Sequence, residues 1–140
     1  MILLDTNIIS GLMQPEPTMA MVVDWFNRQQ QHQLYVPSIV IAEVTYGLQL
    51  MPLGKRQTLL LNQFHLLMAD IFAEHILVFG QYEAEAYALL RAQRDRQGRP
   101  MSMADAQIAA IAQVHHLAIA TRNIKDFEGC GLRLINPFDE

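Results

Sequence analysis

Four short apolar runs, each stopped by polar or turn-forming residues and each followed by a stretch of helical period, constrain this chain more than any other feature. Ile2 to Leu4, Leu34 to Val36, Ile76 to Phe79 and Leu117 to Ala120 have the length and composition of buried strands. The segments between them are long enough for helices of roughly ten residues or more, which implies right-handed crossovers, a parallel sheet and helices on both of its faces. In such a sheet the carboxyl ends of all strands share one edge, where ligands bind. Leu132 to Ile135 reads as a last edge strand.

At 140 residues the chain fits a single domain, 1–140, able to bury roughly 68–70% of its unfolded surface. No apolar run approaches the roughly 18 residues needed to span a bilayer. No basic segment precedes Ile2, and Asp5 interrupts the apolar run at once, which argues against a secretory signal. A cytoplasmic protein without membrane association is expected. The one cysteine, Cys130 between two glycines, has no internal disulfide partner, in keeping with a reducing compartment. A catalytic thiol is disfavoured there, since no helix N-terminus or base is evident nearby. The net charge of −4 opposes whole-surface attraction to nucleic acid, but leaves room for a local basic patch or for acids gathered around a cation.

Several helices are legible. Asn7 to Met13 forms a short one, ended by Gln14 to Pro17 because proline cannot donate and restricts its predecessor. Thr18 is the expected cap of the next, with Met19, Val22, Val23 and Phe26 on one face. Met21 and Trp25 point elsewhere, towards a second buried side or a partner surface. Ser38 is expected to cap a third, carrying Ile39, Val40, Ile41, Ala42, Val44 and Tyr46. A long helix from Arg56 to Phe72 carries Leu59, Leu60, Leu66 and Leu67. Another, Gln81 to Gln97, has Ala84, Tyr87, Ala88 and Leu90 as packing residues and Gly98 as its stop. Near its end lie Arg91, Arg94, Arg96 and Arg99, four of the ten basic residues, which either answer the helix dipole or touch phosphates. His32, His65 and His75 are isolated.

Polar groups break this framework at four places. Asp5, Thr6 and Asn7 follow the first run directly, so Asp5 is either a helix cap or an acid at the ligand-binding edge. Glu43 sits among apolar neighbours, where a carboxylate is costly to bury unless paired, protonated or metal-bound; its alternative is the wet side of the helix with Gly47. Ser102 to Asp105 has the S-x-x-D form of a capping box and opens a helix through His116. Thr121, Arg122, Asn123 and Asp126 follow the fourth run. Carboxylates gathered in a small space must bind protons or a cation. An oxygen-only set suits Mg²⁺, or Mn²⁺ in its place, which keeps much of its water and is often shared with a substrate phosphate. The chemistry suggested is metal-dependent phosphodiester hydrolysis.

L-D-T-N at Leu4 to Asn7, A-E at Ala42 and Glu43, A-D-A at Ala104 to Ala106 and T-R-N-x-x-D-F at Thr121 to Phe127 together resemble the ordered motifs of PIN-domain ribonucleases. The resemblance covers essentially the whole chain, and the terminal N-P-F resembles the ending of VapC and FitB type toxins. It implies a three-layer α/β/α PIN-like fold around a mainly parallel sheet, and a Mg²⁺-dependent endoribonuclease acting as the toxin of a type II toxin–antitoxin system. Metal ligands are implied at Asp5, Glu43 and Asp105, with either Asn123, as a site member, or Asp126, as a supporting candidate, completing the catalytic set. Some relatives carry aspartate where Asn123 stands, and many share the D-F in which Asp126 lies. Thr6 and Thr121 become orienting residues, and Arg122 a phosphate contact.

The implied partners are an RNA substrate, a second copy of the chain, and a small DNA-binding antitoxin through which alone operator DNA is held. Two other classes compete. Asp5 as a phosphoacceptor of the haloacid-dehalogenase or response-regulator kind lacks the usual second aspartate of the former, Asn7 standing in its place. A catalytically inactive PIN-like binding module would not need Asp5, Glu43 and Asp105 together.

Overall fold

A computed structural model describes residues 1–14 and 17–139, without the side chain of Thr18. Of the expected break at Gln14 to Pro17, Gln14 closes the first helix and Pro15 and Glu16 lie outside the described residues; the expected Thr18 cap is corrected, since Met19 holds the N-cap position of the next helix. Among those described are the strands β1 (Ile2–Leu4), β2 (Leu34–Pro37), β3 (Ile76–Leu77), β4 (Ala118–Ala120) and β5 (Leu134–Ile135). The flanking helices are α1 (Thr6–Met13), α2 (Ala20–Arg28), α3 (Ser38–Gln49), α4 (Lys55–Asp70), α5 (Gln81–Arg96) and α6 (Met103–His115). The strands form one sheet in the order β3-β2-β1-β4-β5, and all of its pairings are parallel. This is the α/β architecture expected from the alternation of apolar runs and helical segments.

A parallel sheet is buried on both faces, which is why its strands read as continuous apolar runs. Leu3, Leu4, Ile119 and Ala120 are fully buried, each such leucine or isoleucine contributing about 1.5–3 kcal/mol of burial free energy. Helix α1 packs on α2, α3 and α4, while α5 pairs with α6. In α6, Ala106, Ile108, Ala109, Ala110, Ile111 and Ala112 are all buried, the small residues permitting close approach. Ser102 caps this helix through Asp105 N–H at 3.1 Å, and left-handed His116 (φ 56°) ends it.

The strand order places the site. From β1 the chain builds outward through β2 to β3, then returns to lay β4 on the other side of β1. The direction of winding reverses between β1 and β4, and such a switch point opens a crevice at the carboxyl edge. Because Leu4 pairs in register with Ala120, the next residues, Asp5 and Thr121, emerge side by side into it.

Some local expectations are corrected. Pro37 ends β2 opposite Leu77 and holds the N-cap position of α3 without a side-chain cap, so Ser38 is the first helical residue. Proline's fixed φ suits that junction. Trp25 is only 2% exposed and belongs to the core, whereas Met21 is 40% exposed. Tyr46, Leu59 and Leu66 face outward. Helix α5 is rotated from its expected register: Glu83, Leu90 and Arg94 are buried and Tyr87 half-buried, while Ala84 and Ala88 are exposed. Two of its buried positions carry charge, so hydrophobicity alone picks the wrong stripe.

Candidate active site

Asp5 lies one residue beyond β1 and is 5% exposed. Its backbone N–H donates to Ala120 O at 3.0 Å, continuing the ladder, and its extended conformation makes it the N-cap of α1. The candidate site acid is thus also the helix cap. Thr6 N–H donates to Asp5 Oδ1 at 2.7 Å, and the buried Thr121 hydroxyl donates to Asp5 Oδ2 at 2.7 Å. Asn7 ties the two loops together. Its Nδ2 donates to Asp5 Oδ2 at 3.4 Å and to Thr121 Oγ1 at 3.5 Å, and its Oδ1 accepts Arg122 N–H at 3.0 Å. Asn7 is part of the L-D-T-N motif, but the motif alone assigns it no role. The available signal was its amide two residues beyond the acid, a spacing that suits short-range side-chain bonding at a turn.

Glu43, on the second turn of α3, is half-buried, and its Oε1 accepts the Thr6 hydroxyl at 2.8 Å. It therefore faces the site rather than the wet side of its helix. Asp105, in the first turn of α6, is also half-buried. Burial and then the charge of Asp5 push its carboxyl up to about 6, with the Ser102 hydroxyl opposing and Asp126 and Glu43 adding smaller upward shifts. Asp5 is raised as well, first by burial. The Thr121 and Thr6 hydrogen bonds pull it back, and Glu43 and Asp126 push it further up. The acids from β1, α3, α6 and the β4 loop thus lie within electrostatic reach of one another.

Asn123 and Asp126 are placed differently. Asn123 is exposed and gives its backbone N–H to Thr121 Oγ1 at 3.0 Å. Asp126 is also exposed, but its charge acts on both Asp5 and Asp105. Arg122 stacks its guanidinium over the Phe138 ring, 4.9 Å from the centroid. Of the arginines near the end of α5, Arg91 bonds Tyr87, Arg99 pairs with Glu128 at 3.2 Å, Arg96 is exposed and Arg94 is buried.

The donor set fits a hard divalent cation. It is all oxygen, and a bound cation would offset both the burial and the neighbouring negative charge that raise Asp5 and Asp105. Among the described residues no three His, Cys, Asp or Glu side chains stand close enough to form a ready-made metal cage. An ion here would be held directly by one or two carboxylates and through water by the rest, as Mg²⁺ commonly is.

An all-parallel α/β sheet with acids converging at its switch point defines a class, and residues 2–128 match the PIN domain: the chain belongs to the PIN-domain family. It is similar to VapC ribonuclease Y4jK of Sinorhizobium fredii, 40% identical over 99% of each chain. Similarity to toxin FitB of Neisseria gonorrhoeae is 34% identity over the full length of both chains. The fold matches a chain in the structure of FitAB bound to an IR36 DNA fragment with a TM-score of 0.92 and 33% identity, covering 99% of this chain and 96% of that one.

Proposed function

We propose that this chain is a divalent-metal-dependent endoribonuclease and the toxin of a type II toxin–antitoxin pair, a single cytoplasmic PIN domain over 1–140. The observation that carries this reading is the placing of Asp5 at the sheet's switch point, held by Thr6 N–H and the Thr121 hydroxyl, with Glu43 tied to the same loop through the Thr6 hydroxyl and Asp105 in the first turn of α6. The names of its relatives, a ribonuclease and a toxin, support it. Asp5 and Asp105 would hold Mg²⁺, or Mn²⁺ in its place, with Glu43 reaching it directly or through water. When bound, such an ion polarises the phosphodiester and acidifies a water molecule.

The chain's own residues do the rest. Thr6 N–H, the Thr121 hydroxyl and Asn7 hold Asp5 in one orientation, and the Thr6 hydroxyl holds Glu43. Asn123 and Asp126 border the crevice on the β4 side, where Arg122 would meet a substrate phosphate. The partners proposed are RNA, a second copy of the chain, and a small antitoxin that supplies operator-DNA binding, as the FitAB complex with DNA suggests by analogy. The test is cleavage of total RNA by the purified protein in Mg²⁺ and in EDTA, beside folded Asp105→Asn. Cleavage by the wild type in Mg²⁺ alone is expected. Equal cleavage by Asp105→Asn overturns the site, and a folded wild type inert in Mg²⁺ overturns the activity.

A further inference from the structure

We propose that Arg94 is a positioning residue for this site, its buried guanidinium gripping the backbone of the loop that carries Asp126 and fixing that loop at the sheet edge. The inference rests on the metal-dependent reading above. Arg94 is 4% exposed, and among the described residues no carboxylate pairs with it. Its Nε donates to Arg99 O at 2.7 Å. Its Nη1 donates to Glu128 O at 2.7 Å and to Asp126 O at 3.2 Å, with Cys130 Sγ at 3.7 Å.

Burying an arginine without a counter-ion is expensive, and an apolar side chain of similar volume would avoid the cost. Carbonyl dipoles and the negative end of α5 offset it here. What the cation adds is a rigid fork joining segments distant in sequence: Arg94 and Asp126 are 32 positions apart. The gripped loop needs such a clamp. After a single 3-10 turn at Ile124–Asp126, it passes through left-handed Gly129 and Gly131 (φ 82° and 70°) without a strand ladder until β5. It also presses on the end of α5, where a Cβ at Gly129 would stand 3.3 Å from Arg99 Nη1 and Gln97 Oε1. By holding the Asp126 carbonyl, Arg94 fixes the backbone position from which the exposed Asp126 carboxylate is presented. Its charge is felt at both Asp5 and Asp105.

A mutant cycle tests this, reading Mn²⁺ binding by electron paramagnetic resonance and the Mg²⁺ concentration for half-maximal RNA cleavage. Arg94→Met is expected to weaken Mn²⁺ binding roughly tenfold, the scale of losing an outer support of a metal site. Arg94→Lys should not rescue it, since an ammonium keeps the charge but lacks the fork. Adding Arg94→Met to Asp126→Asn should weaken binding no further. Unchanged Mn²⁺ affinity in folded Arg94→Met, or additive losses in the double variant, overturns the proposal. If Arg94→Met does not fold, Arg94→Lys carries the same cycle. Coupling in Mn²⁺ binding from a wild type that cleaves no RNA would sink the nuclease reading and leave Arg94's role standing.

Discussion

The Thr121 hydroxyl donates to Asp5 Oδ2 at 2.7 Å across 116 positions of sequence. Thr121 is wholly buried and Asp5 nearly so, and this bond gives the Thr121 hydroxyl its acceptor and Asp5 Oδ2 its shortest donor. Thr121→Val keeps the shape and removes the donor. It is expected to destabilise the fold by about 1–3 kcal/mol, the cost of stripping a buried polar group of a partner, and to raise the Asp5 carboxyl further. Asn7→Ala should act in the same direction and more weakly, since its bonds to Asp5 and Thr121 are longer. Urea denaturation read beside RNA cleavage separates the two effects.

Asp105 gives a pH signature. Its carboxyl stands at about 6 in the fold against an ordinary 3.8, so folding favours the protonated form. The stability this provides is complete below pH 3.8 and lost as pH rises through about 6. In EDTA, Asp105→Asn should therefore become more stable than wild type over that interval. The gain at pH 7 is about 1 kcal/mol once partial exposure is discounted. Denaturation midpoints of the two proteins running parallel across the interval would contradict the assignment.

Metal removal supplies the complementary measurement. Saturating Mg²⁺ is expected to raise the melting temperature of the wild type by mass action, about 2.7 kcal/mol at a hundredfold excess over the dissociation constant. Asp5→Asn should abolish most of that rise. Since the ion must displace the Asp105 proton, the apparent Mg²⁺ affinity should decline below pH 6, by about tenfold per unit for one proton. A Mg²⁺ titration by calorimetry at several pH values reads this directly.

Ser102→Ala removes the oxygen that accepts Asp105 N–H. A lost N-cap costs about 1 kcal/mol. Because the cap also opposes the upward push on the Asp105 carboxyl, the variant should need more Mg²⁺ for half-maximal cleavage. Gly at this position, which costs a helix only a few tenths of a kcal/mol, should show the same Mg²⁺ requirement with less loss of stability.

The sheet was legible because burial on both faces leaves short, uninterrupted apolar runs. The site was legible in part because Asp5 and Thr121 follow such runs directly. Asn7 and Arg94 were not: besides short-range bonds, each reaches residues more than thirty positions away, and one sequence does not show where a side chain reaches. The face of α5 was misplaced for a related reason. Burial of Glu83 and Arg94 is decided by partners on other elements, His115 at 3.5 Å from Glu83 and the carbonyls around Arg94, whereas hydrophobicity assigns both to solvent. Ser38 was misread because a proline can hold the N-cap position while still paired in the sheet.

The winding reversal between β1 and β4 also sets the order in which the site comes into being. A ribosome making this chain releases Asp5 first, then Glu43, while Asp105 and the strand leading to Thr121 come in the C-terminal third. Until β4 docks beside β1, Asp5 lacks the Thr121 hydroxyl that orients it. The hydrogen-bonded arrangement around Asp5 is therefore complete only once the C-terminal third of the chain has been made.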